Sequence, residues 1–301
     1  MKIDRYSGTI VTIPCGKHSV SARYFHIATS KKHLEEKPVI LRLHGTLGNL
    51  LDETEYFLPG ILAQEGYSSI TMNTLLSNLG LFFGYGIFDS VMPQIDAVCQ
   101  FLRDVGFKRI IIAGHGLGSC MAIRYASLRN DRTKYPDIAG LISIATPYSL
   151  PETVRRKWAR FGSEPSYDEV CRRSKLCCKP DPGKNALNDE IVLIKKAHGN
   201  TCKPEDTEIY TLKTWWALAG PEADGTKVHK HIGEIKIPML LIHGLHDDII
   251  DHSELKRLGH IAKETGNNDV TMCALKADHR IDGKHDELAG IIIDWLIRKF
   301  E

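Results

Sequence analysis

The 301 residues contain no run of the roughly 18 to 20 apolar residues that a bilayer-spanning helix needs. Residues 1–8 (MKIDRYSG) lack the apolar core of a secretory leader, so a cytoplasmic protein is the expectation. Excess charge is missing too. Thirty-nine Lys and Arg against 37 Asp and Glu leave a net charge of +2, too little for a field that would favour nucleic acid or an anionic membrane. There is no internal repeat and no low-complexity tract. Four of the eight cysteines fall between residues 171 and 202, but Cys171, Cys177, Cys178 and Cys202 do not follow the paired Cys-x-x-Cys spacing of a zinc site. Reduced thiols, many of them buried, are expected.

What is present is an alternation of strand and helix patterns. Thr9–Ile13 and Val20–Phe25 alternate as an antiparallel pair. Short apolar strands are expected at Pro38–Leu43, Tyr67–Met72, Arg109–Ala113, Ile138–Ala145, Ile237–His243 and Asp269–Leu275. Between them the helical period predicts helices over Glu53–Glu65, from an Asp89 cap to Val105, over Leu117–Arg129, and over Ser253–Thr265. A last helix, His285–Phe300, turns Leu288, Ile291, Ile292, Trp295 and Leu296 inward. Asn73–Phe88 is apolar and Gly-rich without a clean period and reads as a loop that lines something. Strands alternating with helices imply a mostly parallel, doubly wound sheet. Residues 147–234 show no strand alternation and read as a helical lid inserted after the sixth strand, over a core of residues 1–146 and 235–301. Such a lid lies at the carboxyl ends of the strands, where open sheets bind ligands.

One further absence governs the chemistry. The run Arg109-Ile-Ile-Ile-Ala ends in Gly114-His115-Gly116-Leu117-Gly118, and a helix pattern follows. This is the strand–turn–helix frame of a nucleophile elbow, G-x-S-x-G, with Gly116 where the serine belongs. Three other motifs stand in order at strand ends: His44-Gly45-Thr46-Leu47-Gly48, then His243-Gly244-Leu245-His246-Asp247, then His279. With these four motifs the chain resembles the α/β-hydrolase fold family over essentially its full length.

The resemblance implies that His279 is the general base, that Asp247 holds its tautomer, and that the backbone N–H groups of Thr46 and Leu117 form the oxyanion hole. It places His44, Gly45 and His115 around the substrate pocket and calls for no cofactor, and the lid aromatics Trp215 and Trp216 are expected to wall that pocket. Asp248 is the alternative acid. A His/Asp metal site from His243, His246, Asp247 and Asp251 is a further alternative, although nothing fixes a ligand geometry. Ser119, Cys120, Thr46 and Ser77 are candidates to replace the missing hydroxyl, none favoured by spacing. Three accounts of Gly116 stay open: the Asp247–His279 pair activates water directly, the chain is a non-catalytic ligand-binding relative, or the glycine is a substitution that disables a serine hydrolase. The implied partner is a small-molecule substrate, partly apolar. Eight Lys and Arg between Pro151 and Pro180, against four acids, would also suit an anionic one.

Overall fold

β-branched runs that are apolar on both sides form the centre of the sheet. Every residue of β3 (Val39–Leu43) and β5 (Ile110–His115) is buried. Their side chains divide by the strand period. Val39, Leu41, Ile110 and Ile112 enter one hydrophobic core, and Ile40, Ile111 and Ala113 enter the other. A computed structural model describes residues 8–27, 30–52, 54–79, 86–128, 138–177, 190–195 and 207–301.

The other strands of this sheet are β1 (Thr9–Cys15), β2 (His18–Phe25), β4 (Ser69–Met72), β6 (Ile138–Ile144), β9 (Met239–Gly244) and β10 (Val270–Leu275). They make an eight-stranded sheet in the order β1-β2-β4-β3-β5-β6-β9-β10. β1 and β2 pair antiparallel, β2 joins β4 antiparallel, and the rest are parallel. This is the mostly parallel sheet with flanking helices that the sequence implied. The short helix α1 (Lys31–Glu36) precedes β3. Helix α2 (Thr54–Gln64) and the C-terminal α9 (His285–Phe300) cover one face, with Leu58, Leu62, Leu288, Ile292 and Trp295 in that core. Helices α3 (Met92–Val105), α4 (Leu117–Ser127) and α8 (Ser253–Glu264) cover the other.

Between β6 and β9 the chain leaves the sheet. This insertion holds α5 (Leu150–Phe161), α6 (Tyr167–Cys177), α7 (Leu212–Ala219) and a small antiparallel sheet of β7 (Ile191–Lys195) and β8 (Thr207–Thr211). That sheet corrects the expectation of an all-helical segment. Ile191-Val-Leu-Ile-Lys195 is apolar at alternate positions on both faces, so no polar alternation marks it as a strand, yet Val192 and Ile194 are buried while Ile191 and Leu193 are exposed.

Two smaller expectations also change. Asp89 does not cap α3: a 3₁₀ turn over Phe88–Val91 leads into Pro93 at the start of the helix, and Asp89 accepts from Arg124 Nε at 3.3 Å instead. Ile291 is only half-buried. The Gly-rich loop expected at Asn73–Phe88 falls partly outside the described residues, at 80–85. Among the described residues no helix is long and apolar enough to cross a membrane.

Candidate active site

The elbow is built by backbone contact. β5 ends at His115, Gly116 turns the chain at φ 53° and ψ −113°, and α4 starts at Leu117. A Cβ on Gly118 would lie 2.1 Å from Leu43 O, so only glycine lets the helix start cross β3 this closely. Gly116 needs its freedom for the positive φ, not for space. A Cβ there would meet His279 Nε2 at 3.7 Å and Cε1 at 3.9 Å, which are ordinary van der Waals distances. Gly116 N–H donates to Ile144 O at 3.0 Å. The Ser119 hydroxyl lies 2.7 Å from Gly114 O and 2.9 Å from Ile144 O and accepts from Ile144 N–H at 3.1 Å. It is fully buried and ties the elbow to β6. Cys120 is likewise buried, and that burial pushes its thiol well above the usual range. Neither side chain replaces the missing hydroxyl.

Asp247 follows β9 in a tight turn. Its Oδ1 accepts from the N–H groups of Ile249 and Ile250, each at 2.8 Å, and its Oδ2 lies 2.9 Å from His279 Nδ1. His243 supplies another partner, with Nε2 3.2 Å from Oδ2 and 3.1 Å from Ile250 O. Both neighbours of that nitrogen are acceptors, so it carries the hydrogen. Burial alone would raise the Asp247 carboxyl. The hydrogen bonds from His243 and His279, the charge of His279 and the Ile250 amide outweigh it and hold the group ionised well below the usual carboxylate range. An ionised Asp247 requires the hydrogen on Nδ1 of His279, which leaves the Nε2 lone pair directed toward Gly116 in the neutral ring. Asp248 does not pair with His279; its backbone oxygen accepts from Arg160. Among the described residues no cluster of His, Cys, Asp or Glu is placed to hold a metal.

Two histidines serve as struts. His115 Nε2 donates to His279 O at 2.8 Å, fixing the histidine loop to the elbow. His44 is fully buried. Its Nδ1 is 2.9 Å from Gly45 O, and its Nε2 accepts from Thr74 N–H at 3.2 Å, so the proton sits on Nδ1 and the loop carrying Thr46 is held in shape. Burial lowers the His44 pKa and keeps the ring neutral, although its hydrogen bond to Gly45 and the nearby Glu55 and Asp52 charges oppose this.

Beside Gly116 and His279 lies a cavity of about 70 Å³. Thr46, Leu117, Ile249 and Ile250 line it from the core. The insertion contributes Leu150, Thr153, Val154 and Lys157 from one stripe of α5, Glu208 and Tyr210 from β8, and Trp215 and Leu218 from α7. A smaller cavity of about 10 Å³ shares Thr46, Leu117, Tyr210 and Leu218 and reaches Leu76 in the loop after β4.

Of the residues expected around the pocket, Trp215 lines it, held edge-on by Trp158 and Tyr167. His44, Gly45, His115 and Trp216 do not line it; His44 and His115 are buried, and Trp216 packs against the hydrophobic core. Among the described Lys and Arg of the insertion only Lys157 lines the cavity, and it is paired with Glu208 at 2.8 Å. Sequence reading missed His243 as a partner of Asp247, and it missed α5 as a wall. The signal for α5 was the i, i+3, i+4, i+7 spacing of Leu150, Thr153, Val154 and Lys157.

The fold is shared with known enzymes. Est1E from Butyrivibrio proteoclasticus superposes with a TM-score of 0.65 over 97% of this chain and 99% of its own, at 14% identity. The Pyrococcus furiosus esterase Pf2001 gives 0.65 over 99% and 95%, at 16% identity. A monoacylglycerol lipase from Paleococcus ferrophilus gives 0.60 over 87% and 96%, at 18% identity. No curated protein sequence matches the chain. The family model described as serine aminopeptidase, S33 matches residues 80–277, more than half of the chain, and the protein belongs to that hydrolase family with its α/β-hydrolase fold.

Proposed function

We propose that this protein hydrolyses an ester, a thioester or an activated C–C bond by having His279 activate a water molecule directly. The supporting observation is the Nε2 geometry. The atom lies 3.7 Å from the position a side-chain carbon on Gly116 would take, so a water in that volume comes within hydrogen-bonding reach of it. Asp247 fixes the tautomer and stabilises the imidazolium that forms as the proton arrives. Leu117 opens α4, where backbone N–H groups lack intrahelical partners, and with Thr46 it supplies the donors for the oxyanion. Each such donor contributes about 3 to 4 kcal/mol to the transition state. General-base catalysis adds about 10² to 10⁴-fold.

In this reading residues 147–234 are a lid over a core of residues 1–146 and 235–301, and the substrate is a small, partly apolar molecule in the cytoplasm. His44 and His115 position the machinery from behind the pocket. A second reading, a ligand-binding relative without turnover, draws on the same missing hydroxyl.

The two part on an assay of p-nitrophenyl esters and thioesters of graded chain length. Hydrolysis by the chain as it stands is expected to fall at least tenfold in Gly116→Ala, whose methyl group displaces the water, and to the background rate in His279→Ala. No turnover by the unaltered chain on any of them supports the binding reading.

A further inference from the structure

The cavity is lined mainly by apolar side chains, and its charged groups stand together where α5 meets β8. There Lys157 Nζ lies 2.8 Å from Glu208 Oε1, and the Tyr210 hydroxyl donates to Glu208 Oε2 at 3.1 Å. All three residues line the cavity. The Lys157 and Glu208 side chains are 21% and 19% exposed. An ammonium carries three N–H donors, and among the described residues one of them is committed, to Glu208. A carboxylate offers about four acceptor positions, and Lys157 and Tyr210 are two of the donors to this one.

A paired cation and anion side by side on one wall discriminate by charge. A carboxylate or phosphate on the ligand could accept from Lys157 only by approaching Glu208, a like charge. An ammonium on the ligand would meet Lys157 in the same way. A hydroxyl satisfies both, since its oxygen accepts from Lys157 while its hydrogen goes to Glu208.

We infer that Lys157, Glu208 and Tyr210 form a specificity site for a neutral hydroxyl on the substrate, so that the preferred acyl group is an apolar chain or ring bearing a hydroxyl and not a charge. This rests on the reading that the cavity beside His279 is the substrate site. It reverses the anionic preference that the basic composition of the insertion suggested. A ligand lacking the hydroxyl leaves the site's polar groups without that partner, which is how such sites reject close analogues.

The test is binding, measured by calorimetry on the full chain, of methyl ketones that mimic the ester without a leaving group. Each has a phenyl ring on a linker of increasing length, with hydrogen, hydroxyl or carboxylate at the para position. The hydroxyl member is expected to bind about tenfold or more tightly than both others at its best linker length. In Glu208→Gln, with Lys157 left uncompensated, the carboxylate member should become the tightest of the three. Circular dichroism and thermal melting establish that the variant is folded, and the ranking by the unaltered chain stands as evidence on its own. Equal binding of the three ligands, tighter binding of the carboxylate by the unaltered chain, or binding of none overturns the inference. Because no bond is broken, a chain that binds with the expected ranking yet hydrolyses nothing refutes the hydrolytic reading and leaves this site standing. Ester hydrolysis without the ranking does the opposite.

Discussion

Gly116→Ser would place a hydroxyl beside His279. Its Cβ enters at 3.7 Å from His279 Nε2 without a clash, and the Oγ one bond further reaches hydrogen-bonding distance of that nitrogen. The cost lies in the backbone. At φ 53° and ψ −113° an L-residue carries about 1 to 3 kcal/mol of strain that glycine avoids. At about 2 °C per kcal/mol for a chain of this size, the melting temperature should fall by roughly 2 to 6 °C. In return, the Asp247–His279 pair gains a covalent route. A complete triad is worth about 10⁶-fold where it has been dissected, so a rise of at least about 10²-fold on activated esters is a conservative expectation. The assay combines steady-state hydrolysis of p-nitrophenyl esters with labelling by a fluorophosphonate, read by intact mass. A folded Gly116→Ser that neither takes up the label nor turns over faster would refute the reasoning, because it would mean that Nε2 cannot reach the hydroxyl.

Further expectations concern the residues that hold the site. Asp247→Asn removes the charge that fixes the His279 tautomer and should lower ester hydrolysis about 10²-fold or more, with the far-ultraviolet spectrum retained. His44 is kept neutral by burial, so the unfolded chain binds a proton that the folded chain refuses. Its contribution to stability is complete above about pH 6.5 and is lost as pH falls toward the lowered folded value, at up to about 1.4 kcal/mol per pH unit. His44→Gln should therefore show a shallower acid-side slope of melting temperature below pH 6.5; equal slopes would contradict the assignment. Arg42 and Glu55, paired at 2.8 and 2.9 Å and both 2% exposed, join β3 to α2 beneath the Thr46 loop. Glu55→Ala should cost about 3 to 5 kcal/mol in denaturant unfolding, whereas the double change Arg42→Met with Glu55→Leu should be close to neutral or stabilising.

The sheet and its two helical layers were legible because their signal is local. Buried parallel strands such as Ile110–Ala113 are continuous apolar runs, and α3 shows Ile95, Val98 and Leu102 at the helical period. The turn at Gly116 and the contact between Asp247 and His279 were legible as geometry because each residue follows such a strand, where the frame constrains residue type. The pocket wall was not. Glu208 and Lys157 are distant in sequence and meet only because β8 folds back against α5, a non-local pairing that periodicity does not report. The resemblance puts His44 and His115 at the pocket. Their hydrogen bonds to Gly45 O and His279 O instead turn them inward, a choice set by buried backbone carbonyls that need donors. His243, read as a candidate metal ligand, is a hydrogen-bond partner of Asp247, because the turn brings Asp247 back over β9.

The central claim is that water takes the place of the absent hydroxyl. Stopped-flow hydrolysis of p-nitrophenyl acetate by the unaltered chain, with intact mass recorded during turnover, tests it most directly. Steady release of p-nitrophenol with no initial burst and no acyl adduct is expected, with loss of that activity in His279→Ala. A stoichiometric burst with an acetylated protein, or turnover that survives His279→Ala, would contradict it.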